Sequence, residues 1–115
     1  MPRAKRGFKA RRRRKKVLKH ARGFYGARSR IFGDAVEQVR RAWREAYIGR
    51  RRKKRDFRRL WIIRINAAAR LHGTTYSKLM HQLKASDVAL DRKILADLAL
   101  RDPGGFKAVV DAVAG

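Results

Sequence analysis

Arginine and lysine carry most of the chemistry this chain has to offer. Arg11, Arg12, Arg13, Arg14, Lys15 and Lys16 form one unbroken run, with Lys19 a helical turn beyond Lys15. Arg50, Arg51, Arg52, Lys53, Lys54 and Arg55 form a second, and Arg58 and Arg59 follow closely. A guanidinium binds two phosphate oxygens at once or stacks on a base, while an ammonium acts as a compact point charge. Between the two runs, Phe24 and Tyr25 stand between Gly23 and Gly26, with Arg28 and Arg30 just after. Glycines let a backbone come close to a partner, and the rings offer flat faces to bases. Arg64, Asn66 and Arg70 can extend the same polar chemistry toward the C-terminus, where Trp61 is either a stacking ring or part of a core.

Nothing comparable points to catalysis. Cysteine is absent, which removes thiol nucleophiles and thiolate metal sites. His20, His72 and His81 have no carboxylate at metal-ligand spacing, and His72 and His81 straddle a helix break. Asp87 and Asp91 lie four apart, but turn formation and helix capping account for them. Neither a serine nucleophile elbow nor a phosphate-cradling glycine loop is present. The chain therefore reads as a binding protein, with no cofactor and no small-molecule substrate expected. Its longest uncharged apolar runs fall far short of the roughly 20 residues a membrane-spanning helix needs, so no membrane partner is expected.

The charge is unevenly spread. The 115 residues carry a formal net charge of +24, with 33 basic and 9 acidic side chains. Met1 to Leu60 holds 25 basic and 4 acidic residues, a balance of +21, and Trp61 to Gly115 only +3. Self-repulsion on that scale calls for a polyanion, and the coincidence of basic runs, glycines and aromatics favours nucleic acid. A histone-like DNA-compacting protein would share the charge, and a cationic membrane-active peptide would need an apolar face that residues 1–33 lack.

These side chains need elements to hold them. Phe8 to Ala21 can form a short helix, whose apolar members Phe8, Val17, Leu18 and Ala21 are too few to bury it against its own protein. From about Gly26 to His72 the chain reads as helix, free of proline and rich in good helix formers, with Gly33 and Gly49 as open points of interruption. Ala35, Val39, Ala42, Trp43 and Ala46 trace a modest apolar stripe, and Glu37 precedes Arg41 at ion-pair spacing. The cations at 50–55 point all round the axis, so no face there can enter a core. Beyond Phe57 the chain turns apolar. Leu60, Ile63, Ala67 and Leu71 make one stripe, and Trp61, Ile65 and Ala68 an adjacent one. Gly73 ends that helix. Thr74 or Thr75, Asp91 and Asp102-Pro103 then start three more, with Tyr76, Leu79, Met80 and Leu83, then Ile94, Leu95 and Leu98, then Phe106, Val109, Val110 and Val113 inward. The expected fold is all-α: an elongated basic N-terminal arm with a long helix (residues 1–57), and a small globular helical bundle (58–115).

The order of these blocks resembles the bacterial large-subunit ribosomal protein twenty family. Lys53-Lys54-Arg55-Asp56-Phe57-Arg58-Arg59-Leu60-Trp61-Ile62 and Arg64-Ile65-Asn66-Ala67-Ala68-Ala69-Arg70 carry the likeness. Lys15-Lys16-Val17-Leu18-Lys19, Gly23-Phe24-Tyr25-Gly26-Ala27-Arg28-Ser29-Arg30, Tyr76-Ser77-Lys78 and Asp91-Arg92-Lys93-Ile94-Leu95-Ala96-Asp97 extend it. It begins near Pro2, so the basic start is expected to be mature protein. The resemblance implies a non-enzymatic constituent of the large ribosomal subunit in the cytoplasm, bound to large-subunit rRNA beside neighbouring large-subunit ribosomal proteins. It also implies a role early in subunit assembly and, in some bacteria, repression through own-operon mRNA.

Overall fold

The computed structural model describes residues 2–115, and among them it holds helices and no strands. Helix α1 spans Lys9–His20, a single 3-10 turn follows at Gly26–Ser29, and α2 runs over Phe32–Leu71. Three shorter helices complete the chain: α3 (Tyr76–Ala85), α4 (Arg92–Arg101) and α5 (Pro103–Val113). The residues group into two compact units, Met1–Arg51 and Arg52–Gly115, so α2 contributes its first half to one and its second half to the other.

In the first unit the chain turns after α1 through Gly23 and Gly26, whose φ values of +85° and +58° suit glycine and few other residues. The turn brings Ala21 against Ala35 and Val39 of α2, all three buried, with Val17, Leu18 and Phe24 packed around them. This corrects the expectation that the arm has too few apolar residues to bury itself. Three small side chains suffice for a minimal cluster because alanine lets two helices approach closely. The rest of the expected stripe stays uncovered, with Ala42, Trp43 and Ala46 exposed. Helix α2 begins at Phe32, just before Gly33 and later than the expected start near Gly26, where a separate 3-10 turn forms instead, and it continues through Gly49. A single glycine costs about 1 kcal/mol against alanine, too little to break a helix of good formers.

The second unit has a real core. Ile65 and Ala69 of α2, Leu79 and Leu83 of α3, Leu95 and Ala96 of α4, and Phe106, Val110 and Val113 of α5 form one buried cluster. Helix α5 packs on both α3 and α4. Each short helix is capped as its sequence suggests. Thr75 Oγ1 accepts from the Lys78 N–H at 3.5 Å, Asp91 Oδ1 from Ile94 N–H at 2.8 Å, and Asp102 Oδ1 from Gly105 N–H at 3.0 Å.

One choice left open by the sequence is settled, and one inward assignment changes. Ile63 is 64% and Leu71 84% exposed, and Leu60 and Ala67 also face outward. The core instead takes the adjacent stripe through Trp61, Ile65, Ala68 and Ala69. Likewise Ile94 is exposed and Ala96 buried. The reason is the same in both helices: positions two apart lie on nearly opposite faces, so seating Ile65 or Ala96 against the core turns Ile63 or Ile94 away.

Candidate nucleic-acid interface

Helix α1 begins without an acidic residue in its first turn and carries Arg11 through Lys16 fully on its exposed surface, with Lys19 exposed as well. Rings fix several of these guanidinium groups. Arg12 lies 4.2 Å over the Phe8 ring, Arg14 5.5 Å over Phe32, and Arg51 4.5 Å over Tyr47, to whose hydroxyl it also donates. A guanidinium stacked on one face keeps its in-plane N–H donors free for phosphate. Pre-ordering the side chain lowers the entropy lost when it meets a ligand.

Carboxylates do little to neutralise these cations. Among the described residues the one ion pair joins Arg101 Nε to Asp97 Oδ1 at 3.0 Å, within α4 and in solvent. The expected Glu37–Arg41 pair does not form, since an exposed pair gains little against the entropy of holding two long side chains. From Gly49 to Leu60 every residue of α2 is exposed, about three turns of helix with no covered face. Arg50, Arg51, Arg52, Lys53, Lys54, Arg55, Arg58 and Arg59 all lie in that stretch, against Asp56 alone.

The remaining candidates divide by environment. Tyr25 is 90% exposed and shares a concavity of about 400 Å³ with Arg28, opposite Asp34 and Glu37. Phe24 instead packs on the small arm cluster. Arg30, Arg64 and Arg70 are exposed. Asn66 is half-buried, and its Oδ1 accepts from the Tyr76 N–H at 3.3 Å, so one end of its amide braces the start of α3. Trp61 is half-buried and packs on the core, the second of the two alternatives left open by its sequence position.

Other cations join the candidates only in three dimensions. Lys5, Arg6, Lys9 and Arg13 line a concavity of about 640 Å³ at the start of the chain. Arg92 and Lys93 of α4 face Lys54, Arg55 and Arg58 of α2 across another of about 470 Å³, with Trp61 and Asp91 in its wall. The Arg92 Nε donates to the Tyr76 hydroxyl at 2.7 Å, which holds that guanidinium in place. Arg92 and Lys93 follow the Asp91 cap directly, and that position at a helix start is the only sequence cue to their placement. Among the described residues no cluster of three or more histidines and carboxylates is arranged to hold a metal ion. None of the described helices is long and apolar enough to cross a membrane.

Comparison with known proteins bears on this surface. The family model described as ribosomal protein L20 matches residues 3–109. The large ribosomal subunit protein bL20 of Syntrophotalea carbinolica is 63% identical over 96% of this chain and 94% of its own length. Its counterpart in Geobacter sulfurreducens is 63% identical over 95% and 93%, and that of Picosynechococcus sp. 60% over 96% and 96%.

Proposed function

The chain belongs to the ribosomal protein L20 family, a family of ribosomal structural proteins and not of enzymes, and from that premise we propose that it binds large-subunit rRNA directly and supports early assembly of the large subunit. The observation that carries this reading is the stretch from Gly49 to Leu60, eight cations on a helix with no covered face and no ion pair. Folded RNA that closes around such a rod offers phosphates on all its sides, whereas a protein partner would cover one face. Residues 1–57 act as the RNA-reaching extension and 58–115 as the folded body. Arg11 to Lys16, Lys19, Arg28, Arg30, Arg50 to Arg55, Arg58 and Arg59 contact phosphate, Tyr25 stacks from the arm, and Arg64 and Arg70 extend the surface over the body. The protein resides in the cytoplasm within the large subunit, beside other ribosomal proteins. Repression of its own operon through the same surface is the regulatory extension of this reading.

Sucrose-gradient fractionation with immunodetection of the chain tests the proposal. It is expected in large subunits and in their early precursors. Its absence from both would sink the ribosomal reading.

A further inference from the structure

Among the concavities described, the one between α2 and α4 in the second unit gathers the most cations. Its cations, Arg55, Arg58, Arg92 and Lys93 among them, surround an aromatic ring and a carboxylate. Phosphate neutralisation needs neither. Trp61 packs on the core with one side and lines this concavity, and it also lines an adjoining one of about 630 Å³ together with Asp91 and Lys93. The indole therefore stands where two concave surfaces meet. Asp91 caps α4 through Oδ1, and its other oxygen is in no hydrogen bond or ion pair among the described residues. An acceptor held among cations would repel a phosphate placed on it, but it suits a base that brings N–H donors.

We infer that this concavity receives one unpaired nucleotide, with its base against Trp61, its Watson–Crick edge on Asp91 and its phosphates on Arg58, Arg92 and Lys93. The inference rests on the RNA-binding reading above and adds a base preference to it. A volume of about 470 Å³ lies within the range of about 300–1,000 Å³ usual for small-ligand sites. A base inside a helix is stacked on both faces and paired along its edge, so neither Trp61 nor Asp91 could reach it. Proteins read RNA sequence chiefly where bases are unpaired and splayed onto aromatic rings. Among the four bases guanine fits best. Its N1–H and exocyclic amino group are adjacent donors that can both meet one carboxylate. Uracil offers a single N–H flanked by two carbonyl oxygens that a carboxylate repels.

The test uses the full chain carrying Trp43→Phe, so that Trp61 is the one remaining indole. The probes are four RNA hairpins identical except for a single bulged nucleotide. The guanosine bulge is expected to quench Trp61 fluorescence most and to bind about 10- to 100-fold more tightly than the uridine bulge, the worth of one charge-assisted hydrogen bond. Asp91→Asn keeps the cap, because asparagine caps helices as well as aspartate does. It presents an N–H donor in place of the free oxygen, so it should erase or reverse the base order while leaving uridine binding within about twofold. Equal binding of all four bulges, or an unchanged order in Asp91→Asn, would overturn the inference and leave the RNA-binding reading standing. A chain that binds none of the hairpins would overturn both.

Discussion

The unit through Arg51 and the unit from Arg52 onward are built from the same kind of helix, yet different forces hold them. The first buries Ala21, Ala35 and Val39, and carries 19 basic side chains against 3 acidic ones. The second buries nine residues, Phe106 among them, and carries 14 against 6. Apolar burial scales with the area removed from water, so the larger cluster has much more with which to oppose chain entropy and repulsion. The first unit has little of its own, and on the proposed reading phosphate supplies the rest. Charge density and core size are thus inversely arranged along one chain. A protein that meets RNA with its least self-sufficient part can order that part as the RNA closes around it.

Removing phosphate contacts should disturb that arrangement most. With about ten phosphate contacts, the log–log dependence of RNA affinity on salt should have a slope of about −7 to −9. Replacing all six residues Arg50 to Arg55 by glutamine, a good helix former, should flatten it by about 4 to 5. Filter binding to large-subunit rRNA over a range of potassium chloride concentrations measures the slope. An unchanged slope would mean that the faceless stretch of α2 meets something other than phosphate.

Core truncation separates the units next. Phe106→Ala should cost about 3–5 kcal/mol, because a large ring leaves a cavity among eight other core residues. It should lower the main thermal transition followed by circular dichroism. Val39→Ala removes two methyl groups and should cost only about 1–2 kcal/mol. Its effect should appear as faster tryptic cleavage within residues 2–40 in the absence of RNA, with the main transition unmoved. Comparable shifts of one shared transition in both variants would mean that the units unfold as one, and the contrast between them would fall.

Much of this was legible in the residues, and the exceptions have physical causes. The caps at Asp91 and Asp102-Pro103 stood out, and that of α3 to within Thr74 or Thr75, because a cap is a local device, fixed by hydrogen bonds three residues apart. Leu79, Leu83, Phe106 and Val110 stood out because their helices have a single apolar face. Helix α2 offers two adjacent apolar stripes, and periodicity does not choose between Ile63 and Ile65; only the packing of the other helices does. The arm's cluster was faint because Ala21 and Ala35 contribute one methyl each, and it forms only once Gly23 and Gly26 turn the chain. Most of the basic surface is visible as composition. The concavity that joins Arg58 to Arg92 is not, since it depends on α4 lying beside α2.

The smallest expected effect sharpens the account of the second unit as one held by its own local and tertiary contacts. Asp87 is the one non-glycine residue with positive φ among the described residues, at +54°. It follows the Ser86 cap of α3, and its N–H donates to the Lys84 carbonyl at 3.2 Å, while Val88 N–H donates to Leu83 at 3.0 Å. That pair of bonds closes a Schellman turn, whose left-handed position favours glycine. Aspartate tolerates the conformation better than most residues, but its carboxylate also meets the negative end of the helix dipole. Asp87→Gly relieves both and should raise stability by about 0.5 kcal/mol, roughly 2–4 °C in the main transition. Asp87→Asn relieves only the charge, so a smaller gain there assigns the difference to the backbone. Should Asp87→Gly lower the transition instead, the carboxylate would have a stabilising role that neither the turn nor the dipole supplies.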